Sequence, residues 1–509
     1  MPTVLVGYSG AEVFSCVSIG SPILALHGFC FYRPMKPSYV FTLILGVLGA
    51  AAGLFVLLVG PGNTFPNWLA VVFFLLMLVS GAQQIRRLHQ TRNVAFLLVI
   101  TGVIFWYCYS NAMAAIFEPS RCLDWTTCFL PEEIVITFLY VCSFIGVFSI
   151  AYGIFRYHIT DGGYNSTNTQ RGSEKRDTVW LDVIGFVAIA IGLLPILASG
   201  LSFNELLAYA FLGRAVEKVW LPTSNLGNEG SALLWGARLM LISGLTLTFS
   251  RLLTSPRSLA KNVLPFIAWF IPFLFQAFDT GTRYITLSIL LPGLILKYLQ
   301  LGKGIRITGV VAVFAGLILF SQLQLIYRYE GIRAMDYELP YFQLVTLAGS
   351  TDFYHETTNA LRLHKELGTA TLDNDVMIFA TFLVPRSIWP DKPVPEAVQQ
   401  YTYFRWGQDI LQEAGNVFPG LIGQYILSFG ASGPILIGLV FGLFAAIIDR
   451  RLNANIHFSV TSTLPALCYA VGLFLSFRYF SPGYFVAPLF VHLGVSLAQL
   501  KYKRHQFRL

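Results

Sequence analysis

Apolar residues make up 55% of this chain of 509 residues, charged residues make up only 12%, and the formal net charge is +8. A soluble domain carries about 25% charged residues, so the composition excludes a water-soluble globular protein. The basic residues stand in short clusters between hydrophobic runs rather than in one patch, which excludes nucleic acid as a partner. We therefore predict an all-α polytopic membrane protein.

Hydrophobic runs of about 20 residues recur along the chain, and a helix of that length crosses ~30 Å of hydrocarbon. A weaker run at 11–32, interrupted by Gly20, Ser21 and Pro22, is left open as a thirteenth span. The twelve clear spans are predicted at residues 41–59, 67–83, 94–117, 134–155, 179–201, 232–249, 263–278, 284–299, 307–326, 434–448, 460–477 and 484–500.

Lysine and arginine occupy every second connection between these spans, down to the basic tail at 501–508. Basic connections face the cytoplasm, so we predict a cytoplasmic C-terminus and place the other connections on the outer side. Two outer connections are long. The chain then divides into an N-terminal bundle over 1–326 with a smaller loop at 202–231, a large outer loop over 327–415, and C-terminal transmembrane helices over 416–509.

The large outer loop is rich in tyrosine, phenylalanine and tryptophan as well as in charge. Disordered linkers are poor in aromatic residues, so we predict a folded loop. Leucines that partly line one helical face at 361, 363 and 367 predict a short helix over 352–368.

The seven cysteines have no metal-like C-x-x-C spacing. Five of them lie in or beside apolar runs, where the expected role is that of a small buried hydrophobic residue. Cys122 and Cys128 share an outer loop, and whether they form a disulfide is left open.

Several cations fall near the outer ends of the predicted spans, against the positive-inside trend. A charge inside a span costs at least ~2.5 kcal/mol, so it usually has a partner or a function. One interpretation is structural ion pairing, Arg283 with Asp279 and Arg328 with Glu330. The other is a diphosphate site, because planar guanidinium groups match paired phosphate oxygens. The candidates for that site are Arg214, Arg238, Arg283, Arg328, Arg333, Arg386 and Lys392.

Four residues of the large outer loop are candidate general bases, which would take a proton from a sugar hydroxyl. They are Asp352, His355, Glu356 and Glu413, and simple solvation of these side chains is the alternative. The chain has no phosphate-binding glycine loop, no H-E-x-x-H motif and no nucleophile elbow. No cytoplasmic connection is long enough for a nucleotide-binding domain, which favours a donor already attached to lipid.

Two stretches resemble the bacterial oligosaccharide repeat-unit polymerases, the Wzy or O-antigen polymerase group. Residues 385–393, PRSIWPDKP, are similar to that family's "PR-x-x-(W/F)-P-x-KP" block. Residues 416–433 are similar to its "G-x-x-x-E-x-Y-x-x-F-G-x-x-G" block, with Tyr425 matching the tyrosine, but Gln424 stands where an acidic residue is common. Gly281–Arg283 and Gly368–Thr369 echo two shorter elements.

The resemblance implies a GT-C-like bundle of about 12–13 transmembrane helices with a large helical periplasmic loop. It also implies a glycosyltransferase in the bacterial inner membrane that polymerises undecaprenyl-diphosphate-linked repeat units of O-antigen, capsule or exopolysaccharide at the periplasmic face. Arg283, Arg386 and Lys392, with Arg328 and Arg333, would hold the diphosphate, and Tyr425 is a further candidate for binding it. We expect no metal and no other cofactor, because protein cations already stand where a metal would.

Two alternatives stay open. An O-antigen ligase would use the same lipid-diphosphate donor but deliver the glycan to the lipopolysaccharide core. A transporter or flippase would carry its charges along a path at the membrane midplane. A separate chain-length regulator protein and membrane lipid are the other expected partners.

Overall fold

The computed structural model describes residues 42, 44–48, 65–109, 112, 131–160, 174–202, 204–206, 229–255, 259–280, 283–301, 316, 320, 353–368, 384, 389, 396–406, 418–454, 459–481 and 483–506. All of them belong to one compact unit, Pro37–Leu509. Their regular structure is entirely helical. At some helix ends only the backbone is described.

The helices are labelled here in chain order. They are α1 Phe65–Thr91, α2 Val94–Val103, α3 Pro131–Thr160, α4 Glu174–Leu197, α5 Glu229–Thr254, α6 Leu259–Thr280, α7 Arg283–Leu301, α8 Phe353–Leu367, α9 Glu396–Trp406, α10 Gly420–Phe429, α11 Gly433–Ala454, α12 Val460–Leu475 and α13 Gly483–Gln506. A π-helical segment, Ile104–Tyr109, continues α2, and a 3₁₀ turn, Gly430–Ser432, joins α10 to α11.

Ten of the predicted spans coincide with apolar helices of the structure. Six are long and apolar enough to cross a membrane: Glu132–Arg156, Val179–Leu197, Leu233–Thr254, Tyr284–Leu301, Gly420–Ala454 and Gly483–Leu500. Four are shorter: Val71–Ile85, Val94–Tyr109, Val263–Phe278 and Val460–Leu475. The all-α class and a multi-pass membrane protein are thus confirmed. Most or all of the predicted spans 11–32, 41–59 and 307–326 lie outside the described residues.

Helices α5, α7 and α13 run in the same direction. The Thr246 hydroxyl donates to the Ser288 carbonyl at 3.3 Å, and one turn further along both helices a Cβ at Gly293 would lie 2.9 Å from the Ser250 hydroxyl. The Ser243 hydroxyl donates to the Ala487 carbonyl at 3.0 Å, and further along α13 Gly494 faces Ile184 of α4, whose neighbour Gly185 meets Thr248. Helices α3 and α11 also run side by side. Helix α2 runs the opposite way, since its beginning bonds to Asp449 near the end of α11, and its continuation meets the end of α12 through the Trp106 and Phe477 rings. Since α8 packs at that end too, we call it the α8 end of the bundle.

The centre of the bundle is formed by α2 and α12, which are buried along almost their whole length. Between their last turns lies Phe477, which is fully buried and whose ring contacts those of Trp106, Phe144 and Phe441. Large apolar side chains on the outer helices are instead exposed, Leu264 to 76% and Leu197 to 66%. Such faces suit a surrounding of lipid rather than water.

Glycines allow α11 to approach α3 closely. A Cβ atom at Gly442 would lie 2.6 Å from the Ala151 Cβ and 2.9 Å from the Phe148 carbonyl oxygen. Gly438, one turn earlier, faces α3 in the same way. Small residues spaced four apart bring helix backbones together in membranes, where packing replaces the hydrophobic effect as the driving force.

Gly442→Ala should separate α3 from α11, and we expect it to cost about 1–3 kcal/mol of stability through overpacking. Gly146→Ala is the matched control, because a Cβ at Gly146 meets no atom of the described residues within 4 Å. Thermal melting of the purified protein in detergent measures both. Equal melting temperatures for the two variants would contradict the close-packing account.

A buried carboxylate joins three helices at the opposite end. Asp449 on α11 is fully buried and accepts the backbone N–H groups of Ala95 at 2.8 Å and Phe96 at 3.1 Å, at the start of α2. It also accepts the Tyr152 hydroxyl at 2.8 Å, and the Arg156 guanidinium lies 3.8 Å away. The negative charge therefore caps α2, where the helix dipole favours it.

Asp449→Ala should destabilise the protein strongly, by about 3–5 kcal/mol, because it removes one partner of a largely buried ion pair and leaves two helix-terminal amides without their acceptor. Asp449→Asn keeps one acceptor oxygen and should cost less. Melting curves in detergent compare the two. If asparagine were as damaging as alanine, the capping hydrogen bonds would not be the source of the stability.

Candidate functional site

Helix α8 confirms the short helix predicted at 352–368 and lies across the beginning of α3. The Tyr354 hydroxyl donates to the Ile134 carbonyl, and the hydroxyls of Thr358 and Thr137 are 2.9 Å apart. Arg362 donates two hydrogen bonds to the Glu133 carboxylate, of 2.8 and 2.5 Å. A paired, largely buried arginine of this kind fastens α8 to the bundle.

The predicted base Glu356 is held by a second arginine. Arg405 on α9 donates to both of its carboxylate oxygens, at 3.1 and 3.2 Å, and the Tyr401 hydroxyl donates to one of them. Burial, together with the Glu356 charge, raises the pKa of Tyr401 well above its usual value, so the phenol stays a donor. Glu356 therefore links α8 to α9, and its role as a base stays a prediction.

A different environment surrounds Arg478, in the turn between α12 and α13. Its guanidinium carbon lies 5.2 Å from the centre of the Phe418 ring and 5.9 Å from that of Tyr284. The Tyr284 ring in turn meets the Tyr484 ring edge-on at 5.2 Å. Among the described residues no carboxylate lies within ion-pair distance of Arg478. Contacts with ring faces use the charge of a guanidinium but none of its N–H donors.

The backbone beside this turn is fixed by the first residues of α10. The Leu421 N–H donates to the Phe477 carbonyl at 3.0 Å, and the Ile422 N–H donates to the Tyr107 hydroxyl at 3.0 Å. Gly420 enters the helix with a φ of +75°, which glycine adopts without strain. The segment carrying Phe418 and the segment carrying Arg478 are thereby held together.

Arg238, predicted from the sequence as a charge inside a span, is half-buried on α5. Its Nε atom is buried and has no hydrogen-bond partner within the described structure, and its guanidinium carbon lies 5.7 Å from the Trp235 ring. Ser243, which bonds to Ala487, is five residues further along α5, so Arg238 lies about 7.5 Å closer to the α8 end. That places Arg238 level with the beginning of α13.

The other predicted residues are placed only in part. Tyr425 is half-buried on α10 and packs against the rings of Phe429 and Phe480, so it borders the Arg478 turn. His355 on α8 contacts the ring of the neighbouring Tyr354. Arg283 is the first residue of α7, next to Tyr284, but only its backbone is described. The residues that lie outside the described part are Arg214, Arg328, Arg333, Asp352, Arg386, Lys392 and Glu413.

The sequence prediction omitted Arg478. The signal was present, because an arginine in the outer connection at 478–483 runs against the positive-inside trend. The segment around it, FRYFSPGYF, is also rich in aromatic residues. The α8 end thus holds two kinds of arginine: Arg362 and Arg405 paired with carboxylates, and Arg238 and Arg478 packed against aromatic rings. Arginines of the second kind keep N–H donors for an anion.

Comparisons of the chain with protein-family models, curated proteins and solved structures found no match.

We expect Glu356 and Arg405 to stabilise the protein as a pair. A double-mutant cycle with Glu356→Gln and Arg405→Gln should give a coupling free energy of about 1–3 kcal/mol, the range for a hydrogen bond to a charged group. Chemical denaturation in detergent micelles measures the four proteins. Additive effects of the two substitutions would show that the contact contributes nothing of its own.

Proposed function

We propose that this protein is a membrane glycosyltransferase that polymerises undecaprenyl-diphosphate-linked oligosaccharide repeat units. The observation that carries the proposal is the half-buried Arg478, packed on two aromatic rings without a carboxylate partner in the described structure. Arg238, with its orphaned Nε atom at the same end, supports it. Uncompensated guanidinium groups at the end of an apolar bundle suit a lipid that carries a diphosphate.

In the proposed reaction a hydroxyl group of one lipid-linked glycan attacks the anomeric carbon of another. The bond from that carbon to the diphosphate oxygen breaks, a glycosidic bond forms, and undecaprenyl diphosphate leaves with the electron pair. Arg478 and Arg238, joined by the predicted set around Arg283, Arg386 and Lys392, stabilise the charge that develops on the leaving group. Preorganised charge of this kind is the main source of rate enhancement in such transfers.

A general base takes the proton from the attacking hydroxyl. Glu356 is already engaged by Arg405 and Tyr401, which favours His355, Asp352 or Glu413 for this role. We assign the reaction to the periplasmic face of the bacterial inner membrane and the fold to the GT-C type. The α8 end is then the periplasmic end, and the C-terminus is cytoplasmic.

The alternatives predict other charge distributions. A transporter needs ionisable groups near the middle of the membrane, whereas Arg478 stands in a turn between helices and the Asp449 cluster at the other end is internally compensated. This contrast favours an enzyme over a flippase. A ligase shares the donor site, so it is separated from a polymerase by its acceptor: only the polymerase extends a second lipid-linked repeat unit.

Arg478→Ala should weaken the binding of undecaprenyl diphosphate about 10- to 100-fold, because a charge-assisted hydrogen bond contributes about 1.5–3 kcal/mol. Native mass spectrometry or calorimetry in detergent measures this affinity, with undecaprenol as the ligand without phosphate. Lys297→Gln is the matched control, since it removes one positive charge from the far end of α7.

The same preparations test catalysis. Purified wild-type protein given lipid-linked repeat units in detergent should lengthen the glycan, and Arg478→Ala should not. A wild-type protein that binds the diphosphate but extends nothing would overturn the polymerase assignment. Equal diphosphate affinities for Arg478→Ala and Lys297→Gln would overturn the site.

A further inference from the structure

The turn that carries Arg478 is held from both sides. Upstream of it, the Phe477 carbonyl accepts the Leu421 N–H at 3.0 Å. Downstream of it, the Phe480 N–H donates to the side-chain oxygen of Gln424 at 3.0 Å. Both partners lie on the first turns of α10, so one helix fixes the backbone on either side of the arginine.

Gln424 is suited to this task by burial and by charge. Its side chain is only 3% exposed, and an unpaired backbone N–H in such surroundings would be costly. The glutamine oxygen satisfies that N–H without carrying a charge.

We propose that Gln424 is a positioning residue, which sets the location of the Arg478 guanidinium for the diphosphate through the Phe480 amide. The inference rests on the proposed function, because it assigns Arg478 a ligand. Binding groups must be held within about 0.5 Å of their productive geometry. Without the hydrogen bond to the Phe480 amide, the turn still carries Arg478, but the guanidinium is no longer held in this geometry. It then no longer binds the second phosphate of the ligand.

Three variants on α10 test the proposal. Gln424→Met keeps the length of the side chain and removes the acceptor, and Gln424→Glu keeps an acceptor. Ser428→Ala is the matched control: Ser428 is also buried, and its hydroxyl donates to the Gln424 carbonyl within the helix, at 3.2 Å.

The first readout is hydrogen exchange of peptides covering 476–482 in the protein without ligand. Gln424→Met should speed exchange of the Phe480 amide about fivefold, as expected for the loss of a hydrogen bond of ~1 kcal/mol in a buried site. Gln424→Glu and Ser428→Ala should leave that amide slow. This readout does not depend on any ligand.

The second readout is the ratio of affinities for undecaprenyl diphosphate and undecaprenyl monophosphate. We expect Gln424→Met to reduce this preference at least about fivefold, while Ser428→Ala retains it. A general loss of folding would lower the melting temperature without changing the ratio. Unchanged exchange at Phe480, or faster exchange with an unchanged ratio, would overturn the positioning role. Failure of the proposed function itself is recognised separately, by an Arg478→Ala protein that binds diphosphate as the wild type does.

Discussion

The arrangement of the α8 end depends on one constraint, that the buried amides at the beginning of α10 must find acceptors. In an apolar interior each unsatisfied amide costs several kcal/mol. Tyr107 and Phe477 supply the acceptors from α2 and α12, and the Thr357 hydroxyl donates to the Pro419 carbonyl from α8. Three separate parts of the chain therefore meet at one helix terminus. These hydrogen bonds fix the positions of the aromatic and cationic side chains on either side of that helix terminus.

Charge at this end serves two purposes, and its pairing distinguishes them. Arg362 and Arg405 neutralise half-buried carboxylates, and their hydrogen bonds attach α8 to α3 and α9. Arg238 and Arg478 rest on aromatic rings, which stabilise the charge, and within the described part of the chain neither has a carboxylate partner. An arginine of the first kind stabilises the fold, but its N–H donors are taken by the carboxylate, so it cannot bind an anionic ligand. An arginine of the second kind keeps N–H donors, which the proposed diphosphate ligand would accept.

Hydropathy was sufficient to predict ten helices and the all-α class, because each span is a local property of about 20 residues. It did not predict α10 as a separate helix. Its ten residues are apolar but too few to cross a membrane, and the helix ends at Gly430, whose positive φ of +59° is visible only in three dimensions. The candidate site was predicted less well than the fold, since charge pairing is a long-range property. Arg362 pairs with Glu133, which is 229 residues away in the sequence. The sequence likewise does not show that Glu356 is paired with Arg405, so it is predicted as an unpaired acid.

The central helices are shorter than the membrane is thick. The apolar stretches Val94–Tyr109 and Val460–Leu475 are about 24 Å long at 1.5 Å per residue, against ~30 Å of hydrocarbon. Because α2 and α12 are enclosed by other helices, protein rather than lipid makes up the difference, with Asp449 at one end and α10 at the other. Hydrophobic mismatch therefore acts on the peripheral helices, such as α4 and α13, which meet the acyl chains directly. A thinner or thicker bilayer would therefore tilt the peripheral helices. The middle of the bundle and the turn that follows α12 would keep their geometry.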